Sequence, residues 1–197
     1  MQVQNKSSII VAILAGGKSS RMGTDKASLV TEGETLLART ARLAQAVSDL
    51  PPLIVGRDKP DDWKNLPARF IPDDMPGIGP VGGIRTAIWY AGLRSTLALS
   101  CDLPALTESA LIWLCEQPRG ELGVVARNGE QLEPLFAIYS PMCLKLLITN
   151  INAGKRSLHA LVHTGGEGFA FADVPSGVAS ALANVNTPEQ WATFHKP

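Results

Sequence analysis

The segment from Leu14 to Lys26 contains the residue types of a phosphate-binding loop. Gly16 and Gly17 have no side chains, so an anion can approach the backbone N–H groups there closely. Asp25 is the only acid in the segment. Three cations lie within nine positions of one another, at Lys18, Arg21 and Lys26. Two adjacent glycines with three nearby cations predict a site for a phosphate group.

Two further polar segments could contribute to the same chemistry. The segment 73–83 begins with the carboxylate of Asp73 and continues as a Gly/Pro loop toward a predicted helix. Asp102 follows an apolar run, and a single carboxylate at a strand end suits Mg²⁺, which prefers one or two carboxylates together with phosphate oxygens and water. Taken alone, 73–83 is also typical of a simple strand-to-helix turn, and Asp102 of a helix cap before Pro104.

These segments need a fold that brings them together. Strand-like and helix-like stretches alternate along the chain, which predicts a Rossmann-like α/β three-layer sandwich with a mainly parallel central sheet and helices on both faces. Strands are predicted at 8–14, 53–55, 70–71, 96–100, 124–125 and 135–139, and helices at 35–50, 84–93, from 107, 141–148, 156–162 and from 187. All three polar segments then fall beyond the carboxyl ends of strands, where such sheets bind ligands. No repeat or linker interrupts the pattern, so one domain over 1–197 is predicted.

Composition narrows the class of protein. The 197 residues include 18 Lys and Arg against 18 Asp and Glu, so no nucleic-acid partner is expected. With 45% apolar and 18% charged residues, the chain is expected to fold. The three cysteines lack CxxC spacing, which predicts neither a disulfide framework nor a zinc site and fits a cytoplasmic location. The apolar run 9–15 is too short to cross a membrane and has the composition of a strand rather than a signal peptide.

Three templates compete for the glycine-rich loop. The dinucleotide fingerprint GxGxxG does not fit the spacing of the glycines. A Walker A motif is a near match if Ala12 replaces its first glycine, since Gly17-Lys18-Ser19 completes it and a Walker B-like strand ends at Asp102. That alignment would place the aliphatic residues Ile13 and Leu14 in the phosphate loop, which weakens it. The third template is the nucleotidyltransferase signature LxGG, followed by RMG and DK.

On this third template, the chain resembles the molybdenum cofactor guanylyltransferases, a family of GT-A-like nucleotidyltransferases. The opening motif is matched in order and spacing by Leu14-Ala15-Gly16-Gly17, Arg21-Met22-Gly23 and Asp25-Lys26. Later family segments are matched at 73–83, 100–104, 133–137, 154–158 and 184–189, with Val81 where the family commonly has Leu. The resemblance extends from Ile10 to about Trp191 and implies a fold of the nucleotide-diphospho-sugar transferase type.

The resemblance also implies a role for each matched residue. It implies that GTP is bound by Leu14, Ala15, Gly16, Gly17, Lys26, Asp73, Gly82 and Asp102. It assigns the catalytic roles to Arg21, Lys26 and Asp102, the Mg²⁺ ligands to Asp102 and Asn186, and the phosphate of the acceptor to Lys155 and Arg156. It further implies transient contacts with molybdenum-insertion proteins and molybdoenzyme chaperones.

The reaction implied is transfer of GMP from GTP to the terminal phosphate of molybdopterin carrying molybdenum, with release of pyrophosphate. Three alternatives stay open at the level of the sequence. A sister enzyme would use CTP or another phosphorylated acceptor. A P-loop NTPase or kinase would hydrolyse nucleotide to orthophosphate. A non-catalytic module would bind GTP without turnover.

Overall fold

The computed structural model describes residues 8–16, 25–63, 66–185, 187 and 190–192. Its strands are β1 Ile9–Leu14, β2 Val30–Thr31, β3 Glu34–Thr35, β4 Leu53–Val55, β5 Arg69–Ile71, β6 Ser95–Ser100, β7 Gly123–Asn128, β8 Gln131–Tyr139 and β9 Phe169–Asp173. Its α-helices are α1 Leu36–Ala44, α2 Pro80–Ala91, α3 Glu108–Glu116, α4 Cys143–Asn152, α5 Leu158–Gly165 and α6 Ser176–Ala179. No helix in these ranges is long and apolar enough to cross a membrane.

Seven of the strands form one twisted sheet in the order β5-β4-β1-β6-β8-β7-β9. The neighbours β5, β4, β1 and β6 are parallel, β8 is antiparallel to both β6 and β7, and β9 is parallel to β7. The strands that follow β1 in the chain, β4 and β5, lie on one side of it, and the later strands lie on the other side, beginning with β6. The order of the strands therefore switches direction at the boundary between β1 and β6. Such a switch point opens a crevice at the carboxyl ends of the strands.

Alternate residues of β1 pack on opposite faces of the sheet. Val11 and Ile13 belong to the apolar cluster that includes residues of α1 and α3, whereas Ile10 and Ala12 pack with Ala87 and Ala91 of α2. A strand that is apolar on both faces must be covered on both faces. The predicted three-layer architecture with a mainly parallel central sheet is therefore confirmed.

Local signals placed several elements correctly. Thr35 caps α1, since its hydroxyl accepts a hydrogen bond from Ala38 N–H at 3.2 Å. Thr107 caps α3 in the same way, through Ala110 N–H. At the predicted C-terminal helix, residues 190–192 are helical and Trp191 N–H donates to the Thr187 carbonyl at 3.1 Å, whereas residues 188–189 and 193–197 lie outside the described residues.

Helix α2 begins four residues earlier than the predicted 84. Gly79 has φ 81° and Pro80 occupies the first turn, so the glycine makes the sharp entry and the proline supplies a preset helical φ. The segment 80–83, predicted as loop, is therefore the first turn of α2. The sequence also missed the β2–β3 hairpin and β9, which is short, rich in Phe and Ala, and paired along its whole length with β7.

Gly82 packs the first turn of α2 against the loop before it, and we expect Gly82→Ala to destabilise the fold. An added Cβ would lie 2.7 Å from the Met75 carbonyl oxygen and 2.8 Å from Ile78 Cγ1. Overpacking of this kind costs about 1–3 kcal/mol of unfolding free energy. Gly177→Ala is the matched control, because Gly177 lies in α6 with open space around it. Urea denaturation should show a loss for Gly82→Ala and none for Gly177→Ala, whereas equal stability of the two variants would contradict the packing described.

Candidate active site

The carboxyl ends of β4, β1 and β6 lie side by side. Leu14 is in register with Val55 on one side and with Ser100 on the other. Beyond β1 the backbone stays bound to β4, since the N–H groups of Ala15 and Gly16 both donate to the Val55 carbonyl at 3.1 Å. A cavity of about 840 Å³ opens at this point, the size of a small-molecule site.

This first cavity collects most of the predicted nucleotide-binding residues. Those that border it are Leu14, Ala15, Gly16, Lys26, Asp73 and Asp102. Gly82 does not border it, because the residue faces Met75, and its neighbour Gly83 borders the cavity instead. Gly17 and Arg21 lie outside the described residues.

Gly56 is a residue of this site that sequence reasoning missed. It has φ 81°, and a Cβ on Gly16 would lie 3.0 Å from its carbonyl oxygen. The two backbones touch, so neither position leaves room for a side chain. The sequence does show a glycine directly after the strand predicted at 53–55. It does not show that this strand pairs with β1, which is what places Gly56 against Gly16.

Lys26 and Asp102 meet across the cavity although 76 residues separate them in sequence. Lys26 Nζ lies 3.1 Å from Asp102 Oδ2, and Ser100 Oγ donates to Asp102 Oδ1 at 2.5 Å. Both charged side chains are largely shielded, with 17% and 21% of their side-chain surface exposed. The pair thus combines a cation suited to phosphate oxygens with a carboxylate suited to a metal ion.

Asp102 is a candidate metal ligand at the edge of the first cavity. No group of three or more His, Cys, Asp or Glu residues that could hold a metal occurs within the described ranges. One carboxylate beside a phosphate site is nevertheless the arrangement Mg²⁺ prefers, because phosphate oxygens and water complete its shell. The Asp102 carbonyl also accepts a hydrogen bond from Val185 N–H at 3.1 Å, which brings the C-terminal segment to this point. Asn186, the other predicted ligand, lies outside the described residues.

Asp73 borders the first cavity beside Gly56, and its carboxylate is hydrogen-bonded to the protein. Its Oδ1 accepts hydrogen bonds from Met75 N–H at 2.9 Å and from Thr86 Oγ1 at 3.2 Å. Thr86 Oγ1 in turn accepts from Asp74 N–H at 3.1 Å, so the acidic loop is tied to α2. The carboxylate of Asp73 is therefore held in a defined position on the wall of the first cavity.

Cys101 borders the first cavity but is unsuited to act as a nucleophile. Burial is the main cause that raises the pKa of its thiol to about 12, and the neighbouring carboxylate of Asp102 adds to the shift. The thiol is therefore protonated at neutral pH, whereas nucleophilic cysteines are thiolates.

Arg57 is a second residue that sequence reasoning missed. Its guanidinium forms an ion pair with Asp25, which lowers the pKa of that carboxyl and raises the pKa of the arginine. Asp25 Oδ1 also accepts from Ala27 N–H at 3.1 Å and so caps the short 3₁₀ turn Lys26–Ser28. Arg57 directly follows Gly56, so the end of β4 contacts both Gly16 and the turn that carries Lys26.

A second cavity of about 500 Å³ adjoins the first and shares Asp102 and Ser100 with it. Most of its remaining wall comes from β8 residues 131–136, the start of α5 and the segment at Leu182 and Asn184. Of the two predicted acceptor residues, Arg156 borders this cavity. Lys155 does not, and its Nζ lies 3.4 Å from Thr164 Oγ1 on α5.

An irregularity in β8 shapes the wall of the second cavity. Val125 pairs with Ala137 but the next residue of β7, Ala126, pairs with Glu133, so residues 134–136 bulge away from β7, while Phe136 still pairs with Leu99 of β6. The buried Tyr139 hydroxyl donates to the Pro134 carbonyl at 2.7 Å and holds the bulge in place. Bulges of this kind redirect side chains beside active sites.

A doubly wound sheet with a glycine-lined cavity and a paired lysine and aspartate at its switch point has the architecture of a nucleotidyltransferase. Residues 11–167 match the model of the family described as MobA-like NTP transferase domain, and the chain belongs to that family. Membership in this family excludes the P-loop alternative. The structure agrees, because a P-loop would need Ile13 and Leu14 in the phosphate loop, whereas both belong to β1.

Individual proteins support the same assignment. The chain is 35% identical over 187 residues to the molybdenum cofactor guanylyltransferase of Pseudomonas fluorescens, covering 91% of this chain and 90% of that protein. It is 31% identical over 179 residues to a probable molybdenum cofactor guanylyltransferase of Pelotomaculum thermopropionicum, covering 89% and 86%. A putative protein from Aquifex aeolicus has a similar structure, with a TM-score of 0.77, 27% identity and coverage of 94% and 96%. The resemblance drawn from the motifs is confirmed, and the chain is a nucleotidyltransferase.

We expect loss of the Arg57–Asp25 pair to weaken nucleotide binding modestly. Arg57→Gln frees the turn that carries Lys26 and should raise the KM for the nucleotide about two- to fivefold, since a partly exposed ion pair contributes up to ~1 kcal/mol. Asp25→Asn should act through the same pair, so the double variant should lose no more than either single one. Arg127→Gln is the control, because it breaks the exposed Arg127–Asp173 pair far from the cavity. Additive effects of the two site variants would contradict the coupling.

Proposed function

We propose that this protein transfers GMP from GTP to the terminal phosphate of molybdopterin carrying molybdenum, and releases pyrophosphate. The names of its relatives support this reaction, and the motifs of the sequence imply it. The observation that carries the proposal is the position of Asp102, which pairs with Lys26 of the first cavity, at the junction of the two cavities, since a transfer reaction needs a donor site beside an acceptor site.

The donor is GTP in the first cavity. The backbone of Gly16 and Gly17 and the cations of Arg21 and Lys26 bind its triphosphate, and Asp73 accepts hydrogen bonds from the guanine base. An oxygen of the acceptor phosphate attacks the α-phosphorus in line, and the bond from that phosphorus to the bridging oxygen breaks. The electron pair leaves with pyrophosphate, where Lys26 and Arg21 neutralise the charge that develops.

Positioning and charge neutralisation supply the catalysis, because a phosphate monoester is already ionised near neutral pH and needs no general base. Asp102 holds Mg²⁺, with Asn186 as a proposed additional ligand. Bound there, the ion neutralises phosphate oxygens and orients the donor. Ser100 and Lys26 both contact the Asp102 carboxylate in the structure and so fix its rotamer.

The acceptor occupies the second cavity. Arg156 borders it and pairs with the pterin phosphate, and Lys155 adds positive charge at the same turn. We propose that the whole chain, 1–197, is one nucleotidyltransferase domain that works in the cytoplasm and passes its product on through transient contacts with molybdenum-insertion proteins and molybdoenzyme chaperones.

Product analysis tests the proposal. Purified protein is incubated with Mg²⁺, molybdopterin carrying molybdenum and each of the four nucleoside triphosphates in turn, and pyrophosphate is scored against orthophosphate. We expect pyrophosphate only with GTP and only when the acceptor is present. Pyrophosphate with CTP alone would assign the protein to the sister activity, and orthophosphate without acceptor would make it a hydrolase.

A further inference from the structure

Glu133 is a carboxylate that the chemistry described so far does not use. It borders the second cavity at the start of the β8 bulge and is half-buried there. No other described residue gives its carboxylate a hydrogen bond or an ion pair. The only other carboxylate on the described wall of this cavity is Asp102, at the junction with the first.

The surroundings of Glu133 resemble a ligand site more than a structural network. Desolvation by burial raises the pKa of the Glu133 carboxyl, and the nearby imidazole of His159 only partly opposes this. His159 Nε2 itself lies 3.3 Å from the Leu132 carbonyl. The Glu133 carboxylate opens onto the second cavity and has no donor among the described residues, so donors that arrive with a ligand can complete its hydrogen bonds.

The proposed acceptor carries such donors. A pterin presents an exocyclic 2-amino group beside a ring N3–H, two parallel N–H donors that match the two oxygens of one carboxylate. The aliphatic side chains of Leu132, Leu135 and Leu158 border the same cavity and suit the faces of a flat ring. Arg156, on the same wall, takes the phosphate at the other end of the molecule.

Guanine and a pterin present the same pair of N–H donors, so each substrate needs an acceptor for that pair in its own cavity. Each cavity has its own carboxylate for this purpose: Asp73 lies with Gly16 in the first, and Glu133 lies with Arg156 in the second. We propose that Glu133 is the specificity-determining residue for the acceptor and binds the 2-amino and N3–H groups of the pterin. This inference rests on the proposed function, since it takes the acceptor to be a pterin.

Steady-state kinetics with Glu133→Gln test the assignment. The amide cannot accept from both donors, so the KM for molybdopterin should rise tenfold or more, the scale of a charge-assisted hydrogen bond, while the KM for GTP stays within twofold. Glu130→Gln is the matched control, because Glu130 is exposed in the β7–β8 turn and does not border the cavity. An unchanged molybdopterin KM, or a raised KM for GTP, would overturn the proposal.

A binding measurement on the unmodified protein separates this inference from the proposed function. Pterin and lumazine are both fluorescent and differ at position 2, where lumazine has an oxo group in place of the amino group. We expect pterin to bind at least tenfold more tightly than lumazine, and Glu133→Gln to abolish the difference. Equal binding of both compounds, or binding of neither, would overturn the role of Glu133. Absence of GMP transfer by the wild-type protein would instead overturn the proposed function.

Discussion

Asp102→Ala is expected to reduce Mg²⁺-dependent GMP transfer to less than about one thousandth of the wild-type rate. Asp102 is the carboxylate at the junction of the two cavities, and its removal takes away the only acidic metal ligand proposed here. Lys26 also loses its partner at 3.1 Å, so its ammonium group is no longer held toward the reacting phosphates. Pyrophosphate release at saturating GTP and acceptor measures the effect.

Asp74→Ala is the matched control for this variant. Asp74 lies on the neighbouring loop and pairs with Arg85 at 3.0 Å, but it does not border either cavity. We expect its rate to remain within a few-fold of wild type. Thermal melting of both variants checks the fold, and a folded Asp102→Ala protein with near-normal Mg²⁺-dependent turnover would place the metal on other residues.

Lys26→Ala is expected to lower kcat by about 10²–10³-fold, the loss seen when one preorganised charge-stabilising group is removed from an active site. The ammonium group is proposed to act on charge that grows on the leaving pyrophosphate, so kcat should fall more than the KM for GTP rises. Lys145→Ala serves as the control, because Lys145 is exposed on α4, away from both cavities.

The two variants should not combine additively. Lys26 and Asp102 contact each other and act on the same phosphates, so the double variant should be hardly slower than Asp102→Ala alone. Rates for the four proteins of this cycle, measured under single-turnover conditions, test the coupling. Losses that multiply would show that the two residues act at separate steps or separate sites.

Short-range sequence signals were enough to predict several strands and helix starts of this structure. An apolar, β-branched stretch that ends at a glycine pair predicted β1, and a threonine before an apolar period of 3.6 predicted the start of α1. The meeting of Lys26 with Asp102 followed from a topological rule, because the carboxyl ends of neighbouring parallel strands share one edge of the sheet. The separation of 76 positions between the two residues gives no indication of their contact.

Other features depend on partners that the sequence does not reveal. Residues 80–83 look like loop because two of the four are glycine, and the sequence does not show the positive φ of Gly79 that, together with Pro80, starts α2 there. Arg57 looks like a solvated charge until β4 is placed beside β1. Glu133 looks like an ordinary strand residue until the bulge in β8 opens it to a cavity.

The most direct test of direct nucleotidyl transfer follows the α-phosphorus. The protein is incubated with GTP labelled with ³²P at the α position, Mg²⁺ and molybdopterin carrying molybdenum, and the products are separated. We expect the label in a pterin dinucleotide, formed in equal amount to unlabelled pyrophosphate and absent from reactions with Asp102→Ala. Label that stays in free GMP or GDP, with no pterin product, would contradict transfer between the two cavities.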